Sequence, residues 1–190
     1  MRPLLAAAAT AACLPTLAAA PHTPEPPPPT AKAVFAAGHY WYVEAAFERH
    51  PAVLAAVTGT ANPGPNAVQA VEVTYDTRPA AYGDLAIYFF RVHDPTQRDR
   101  QDDDVGRIFR SSLLVADDTQ REDAIRVLER WKKKLRAPMQ TAVETLDRFA
   151  QAPEADQDFV RRHPADPHVT GVIAPKLHRM LELAPPDLSR

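Results

Sequence analysis

The chain has 190 residues, 45% of them apolar, which is enough for one folded domain with a real core. A formal net charge of −2 provides no general basic field, so nucleic acid is not an expected partner. The single cysteine is Cys13. Without it the folded part has no disulfide, no thiolate nucleophile and no cysteine metal site.

Residues 1–20 read as an export signal. Arg2 supplies the positive start, "LLAAAATAACL" the short apolar run, and Ala18, Ala19 and Ala20 the small residues for cleavage. The run is short for a bilayer span, so no transmembrane helix is expected in the mature chain. The product is expected to be periplasmic or secreted. A second possibility is lipidation at Cys13, because "TAAC" weakly resembles a lipoprotein attachment box. Residues 21–31, "PHTPEPPPPTA", read as a stiff proline-rich spacer.

The folded domain is expected over 32–164. "KAVFAAG" predicts a buried strand. Val43, Ala46 and Phe47 fall at helical spacing over 41–50, and Pro51 ends that helix. "VLAAVTG" reads as a strand, "NPGP" as a turn, and "AVQAVEVTYD" as a strand that alternates Val71, Val73 and Tyr75 against Glu72 and Thr74. "AYGDLAIYFFRVH" predicts a second helix with Leu85, Tyr88 and Phe89 on one face, stopped by Pro95. A polar loop over 96–109 precedes the strand "SSLLVAD". "DTQREDAIRVLERWKKKL" predicts a third helix, capped by Asp117 or Asp118, with Lys and Arg in its last turn. "MQTAVETLD" reads as the last strand. Residues 165–190 read as a proline-containing tail with one short helix, "KLHRMLEL". Alternating strands and helices predict an α+β protein built as a two-layer α/β sandwich. The strand order is not readable from this pattern.

Four stretches carry a resemblance, in order along the chain. "FAAGHYWYVEAAFERHPAV" is similar to the opening motif Gly-Cys-Phe-Trp-Gly-Val-Glu and the following helix of the type A peptide methionine sulfoxide reductases. "AVEVTYD" resembles that family's second strand. "FFRVHDPTQRDRQDDDVGRIFRS" resembles its long signature, Asn-Asp-x-Gly-Thr-Gln-Tyr-Arg-Ser. "EADQDFVRRHP" resembles its closing Tyr-His-Gln-Asp-Tyr segment. The resemblance spans about 33–164 and implies a fold related to the ferredoxin-like plait. It also implies a reaction without a cofactor. A cysteine thiolate at a helix N-terminus attacks the sulfoxide sulfur and becomes a sulfenic acid; a second thiol forms a disulfide with it, which thioredoxin reduces.

Carried over residue by residue, the resemblance places His39 at the nucleophile position and Gln69 at that of the proton-donating glutamate. Tyr40 and Trp41 stand where an aromatic pair receives the substrate methyl group. Tyr42 replaces a glycine and is expected to crowd the site. Of two hydroxyl-bearing tyrosines, one falls at or near Val57 and the other at Phe109. Asp104 is unchanged, while Asp156 and Phe159 replace the histidine and a tyrosine of the closing segment. Gln69 has no acidic proton, and an imidazole offers no route through a disulfide cycle. These replacements imply an inactive relative that binds methionine or methionine-sulfoxide peptides, with thioredoxin coupling not expected.

Other readings stay open. His39, with Asp104 and His93, is a candidate for a weak metal site in a cell-envelope carrier; the plainer reading is a polar residue filling a vacated pocket, with no metal. "RWKKKLR" is expected to be a solvated helix end, and "QDDDVG" lacks the spacing of a calcium loop.

Overall fold

In the computed structural model, residues 26–182 are described. The expected signal, Cys13 and residues 21–25 of the proline-rich spacer lie outside them, and the last two spacer residues already belong to the first strand. No helix among the described residues is long and apolar enough to cross a membrane.

The first half builds from apolar runs that end on turn chemistry. Strand β1 (Thr30–Ala37) leads through Gly38 into helix α1 (Tyr40–Phe47). Strands β2 (Val53–Ala61) and β3 (Val68–Asp76) flank a turn that holds Asn62 and Gly64 at positive φ. Helix α2 (Tyr82–Val92) follows. Its first turn is fixed by the Asp84 carboxylate, which accepts from the Ala81 amide at 2.9 Å.

The second half begins in the expected polar loop. That loop contains a small hairpin, β4 (Arg100–Gln101) and β5 (Asp104–Val105), then a 3₁₀ turn, Arg107–Phe109. Strand β6 (Ser111–Val115) and helix α3 (Asp118–Lys132) come next, the Asp117 side chain accepting from the Gln120 amide at 2.8 Å. Two short strands close the sheet, β7 (Ala142–Thr145) and β8 (Phe149–Gln151). The sequence did not suggest β8.

The strand order is β7-β6-β1-β3-β2-β8, antiparallel except for the parallel pair β6 and β7. The central four strands with α1 and α2 form a β-α-β-β-α-β plait, as the resemblance implied. One face carries the helices. There Phe35, Val71, Val73 and Leu113 pack against Phe47, Leu85, Phe89 and Val127. On the other face Val34, Ala36, Val68, Ala70 and Leu114 are covered by Leu146 and Phe149. Buried on both faces, β1 reads as a continuous apolar run rather than an alternating one.

The expected tail is a correction. After the short helix α4 (Phe159–Arg162), a π-helical turn, Val169–Ile173, runs into helix α5 (Ala174–Glu182). Val169, Ile173, Leu177 and Met180 are buried in the helix-side core. The domain therefore continues well past residue 164. Pro175 explains the π turn: it has no amide to donate to Gly171, and the preceding turn widens around the lost bond.

Candidate functional site

The site begins with a glycine that tolerates no side chain. Gly38 has φ +94°, and a Cβ there would lie 2.7 Å from the Cβ of Gln101. The hairpin β4–β5 thus sits directly against the start of α1, which brings its acidic loop to His39.

His39 is the N-cap of α1. Its backbone is extended, and its Nδ1 accepts from the Trp41 amide at 3.3 Å. A backbone N–H can only donate, so neutral His39 carries its proton on Nε2. Burial lowers the imidazole pKa. The Asp104 carboxylate opposes that shift and His168 adds to it; more weakly, Asp156 opposes it and Lys176 adds to it. Burial thus favours the neutral imidazole, which donates from Nε2.

Gln69, on β3, reaches the same turn: its Oε1 accepts from the Tyr40 amide at 3.2 Å. Phe109 lies nearly parallel to the imidazole, with ring centroids 6.1 Å apart. Tyr40 and Trp41 pack edge to face at 6.2 Å. Burial, then the nearby Asp156 carboxylate, raises the Tyr40 phenol pKa. His39, Tyr40, Trp41, Gln69, Asp104 and Phe109 are thus gathered around one helix start.

Two positions differ from expectation. Val57 pairs with Glu72 in the β2–β3 ladder, whereas Gln69 pairs with Thr60. Alternation puts Val57 on the sheet face opposite Gln69, and Thr58 and Thr60 on the near face. The Thr58 hydroxyl donates to the Asp156 carbonyl at 3.2 Å. Tyr42 does not crowd the site. It is buried among the helices and donates its hydroxyl to the Val92 carbonyl.

His93 is committed elsewhere. Its Nδ1 bonds the Phe89 carbonyl at 3.0 Å and its Nε2 the Ser111 hydroxyl at 2.6 Å. Among the described residues, no three His, Cys, Asp or Glu side chains are grouped to hold a metal ion. The metal-carrier reading of His39 finds no ligand set there.

Sequence reasoning missed His168 and Lys176, both from the supposed tail. The His168 ring lies 6.0 Å from that of His39 and 6.3 Å from that of Trp41. Lys176 pairs with Asp102 at 2.9 Å and lies 5.8 Å from the centre of the Tyr42 ring. It also missed how the closing segment is held. The Gln157 amide bonds both the N–H and the C=O of Thr58, at 3.0 and 3.1 Å. Phe159 then lies flat on Trp41, centroids 3.6 Å apart and ring planes 4° from parallel.

This plait, with an aromatic pair and a capped polar position at the start of its first helix, defines a sulfoxide-reductase class of scaffold. The family model described as peptide methionine sulfoxide reductase matches residues 31–186, and the chain belongs to that family. The chain is 34% identical over 165 residues to the peptide methionine sulfoxide reductase MsrA of Nautilia profundicola, covering 80% of this chain and 95% of that one. It is 36% identical over 168 residues to that of Natronomonas pharaonis, covering 80% and 94%. Among solved structures, methionine sulfoxide reductase A of Corynebacterium diphtheriae superposes with a TM-score of 0.67 at 25% identity, covering 72% of this chain and 76% of that one. Reduced Mxr1 of Saccharomyces cerevisiae shares the fold, with a TM-score of 0.68 at 22% identity, covering 72% and 87%.

Proposed function

We propose that this chain is an exported, catalytically degenerate member of the family that binds methionine or methionine-sulfoxide side chains without reducing them. The observation that carries the reading is the bond from the Tyr40 amide to Gln69 Oε1. It commits the oxygen of Gln69 and leaves the amide NH₂ as a donor with no acidic proton. With the Nε2–H of His39, two neutral donors stand beside the aromatic pair Tyr40 and Trp41. A sulfoxide oxygen accepts from such donors, and its methyl group suits an aromatic wall.

Reduction needs more. Two electrons must reach the sulfoxide sulfur while its oxygen leaves as water. The family supplies them from thiols, and the only cysteine here is Cys13, in the expected export signal. One related structure is described as Mxr1 in complex with Trx2; a thioredoxin partner of that kind has no disulfide to reduce in this chain once residues 1–20 are removed. The test is a reductase assay of the mature protein with thioredoxin or dithiothreitol and a methionine-S-sulfoxide peptide, alongside calorimetric titration with the same peptide. Binding without product is expected. Turnover would overturn the reading.

A further inference from the structure

His168 reaches the site from the helical run that leads into α5, and its backbone is held on both sides. The Asp166 carboxylate accepts from the amides of His168 and Val169, at 2.8 and 3.3 Å. The Asp166 carbonyl accepts from the Thr170 amide at 2.9 Å, so Asp166 caps this run. Val169, the next residue, is buried in the helix-side core. Fixed in this way, His168 sets its ring 6.0 Å from that of His39 and edge to face with Trp41 at 6.3 Å.

Donors outnumber acceptors at this point. Among the described residues, neither ring nitrogen of His168 has a hydrogen-bond partner, and neither has Nε2 of His39 or the side-chain NH₂ of Gln69. All three side chains are half-buried. A neutral imidazole carries one N–H and a protonated one carries two, so His168 donates in either state. An imidazole N–H holds an acceptor oxygen about 4 Å from the ring centre. Rings 6.0 Å apart can therefore share one oxygen, met from directions about 100° apart. The 57° tilt between the two rings lets their N–H bonds converge, where stacked rings would keep them in parallel planes. A sulfoxide oxygen has lone pairs for both donors. A thioether sulfur is a weak acceptor and would leave them unmatched.

We propose that His168 is a specificity-determining residue: with His39 it clamps the oxygen of methionine sulfoxide, so that the site takes the oxidised side chain and rejects methionine. This rests on the reading that the site binds such side chains, and narrows it to one of the two forms.

The experiment titrates the full chain calorimetrically with N-acetyl-methionine-S-sulfoxide amide and with the matching thioether. The sulfoxide should bind about 10-fold more tightly or better, the scale of one or two neutral hydrogen bonds. His168→Phe keeps a ring without a donor and should shrink that preference about fivefold, whereas His168→Gln keeps a donor and should hold most of it. A second measurement does not depend on how a variant folds. In the unsubstituted chain, the Cε1–H proton resonances of His39 and His168 should both shift with the sulfoxide and stay in place with the thioether at the same concentration. Equal affinity for the two probes, a preference left intact by His168→Phe, a loss as large in His168→Gln, or a His168 resonance unmoved by the sulfoxide would overturn the assignment while the binding reading stands. No binding of either probe would overturn both.

Discussion

The Oε1 of Gln69 lies 3.2 Å from the amide nitrogen of Tyr40, so the residue that the resemblance sets at the acid position is tied to the turn that presents His39. This bond needs only an acceptor. A glutamic acid at 69 could accept from Tyr40 with one oxygen and donate from the other.

That geometry makes restoration testable. The double variant His39→Cys, Gln69→Glu should reduce a methionine-S-sulfoxide substrate with dithiothreitol, since the helix start favours a thiolate and the acid can protonate the leaving oxygen. His39→Cys alone should be slower by at least about 100-fold, the usual scale of a lost general acid. Product methionine measured by chromatography decides. Equal rates would show that Gln69 is not at the acid position.

The stack of Phe159 on Trp41 should be energetically visible. Phe159→Ala removes an aromatic pair and part of a half-buried ring, and should cost about 2 kcal/mol in urea unfolding. The near-ultraviolet circular dichroism of Trp41 should weaken in parallel. A stability change below about 0.5 kcal/mol would mean that the contact adds nothing.

His93 predicts acid sensitivity. Burial lowers its imidazole to about 4, against the raising influence of the Phe89 carbonyl. The unfolded imidazole takes a proton near 6.5 while the folded one resists, so stability is full above pH 6.5 and is lost as pH falls toward 4. The loss is about 3 kcal/mol. His93→Gln should flatten that part of the stability profile, measured by denaturant unfolding at each pH. An unchanged profile would remove His93 as the cause.

Arg110 is a further point of stability. Its guanidinium grips both oxygens of Glu144 at 2.9 Å and also donates to the carbonyls of Asn66, Ala67 and Arg107. Arg110→Met should cost about 3–5 kcal/mol, because it strands a partly buried carboxylate. Burial pushes Glu144 up, but its bonds from Arg110 and Ser112 outweigh that and hold it below the ordinary value. The stabilisation from this pair is therefore present above pH 4.5 and fades as pH falls through the lowered value. Unfolding of wild type and variant should converge at strongly acidic pH.

Much of the plait was legible because its signals are local. The alternation of Val71, Val73 and Tyr75, the Asp117 cap and the stops at Pro51 and Pro95 each act within a few residues. The face of Val57 was not legible, since it depends on which residue of β2 pairs with which residue of β3. Likewise β8 is three residues long and exists only because Gly59–Ala61 offer it an edge. The apolar spacing of Val169, Ile173, Leu177 and Met180 is helical in the sequence, but Gly171 and Pro175 interrupt it and hide the element. His168 was invisible for that reason: it reaches His39 only if that broken helix forms and docks. The gathering of Tyr40, Trp41, Gln69 and Phe109 was readable only through the resemblance, because sequence spacing does not bring those positions together.

The docked helix α5 also bears on how the molecule is made. Residues 167–182 leave the ribosome after every described strand has been synthesised, yet they complete the core that holds Leu85 and Phe89 and place His168 beside His39. A nascent chain halted before them would hold a nearly complete sheet with an uncovered greasy helical layer, a natural substrate for chaperones and proteases.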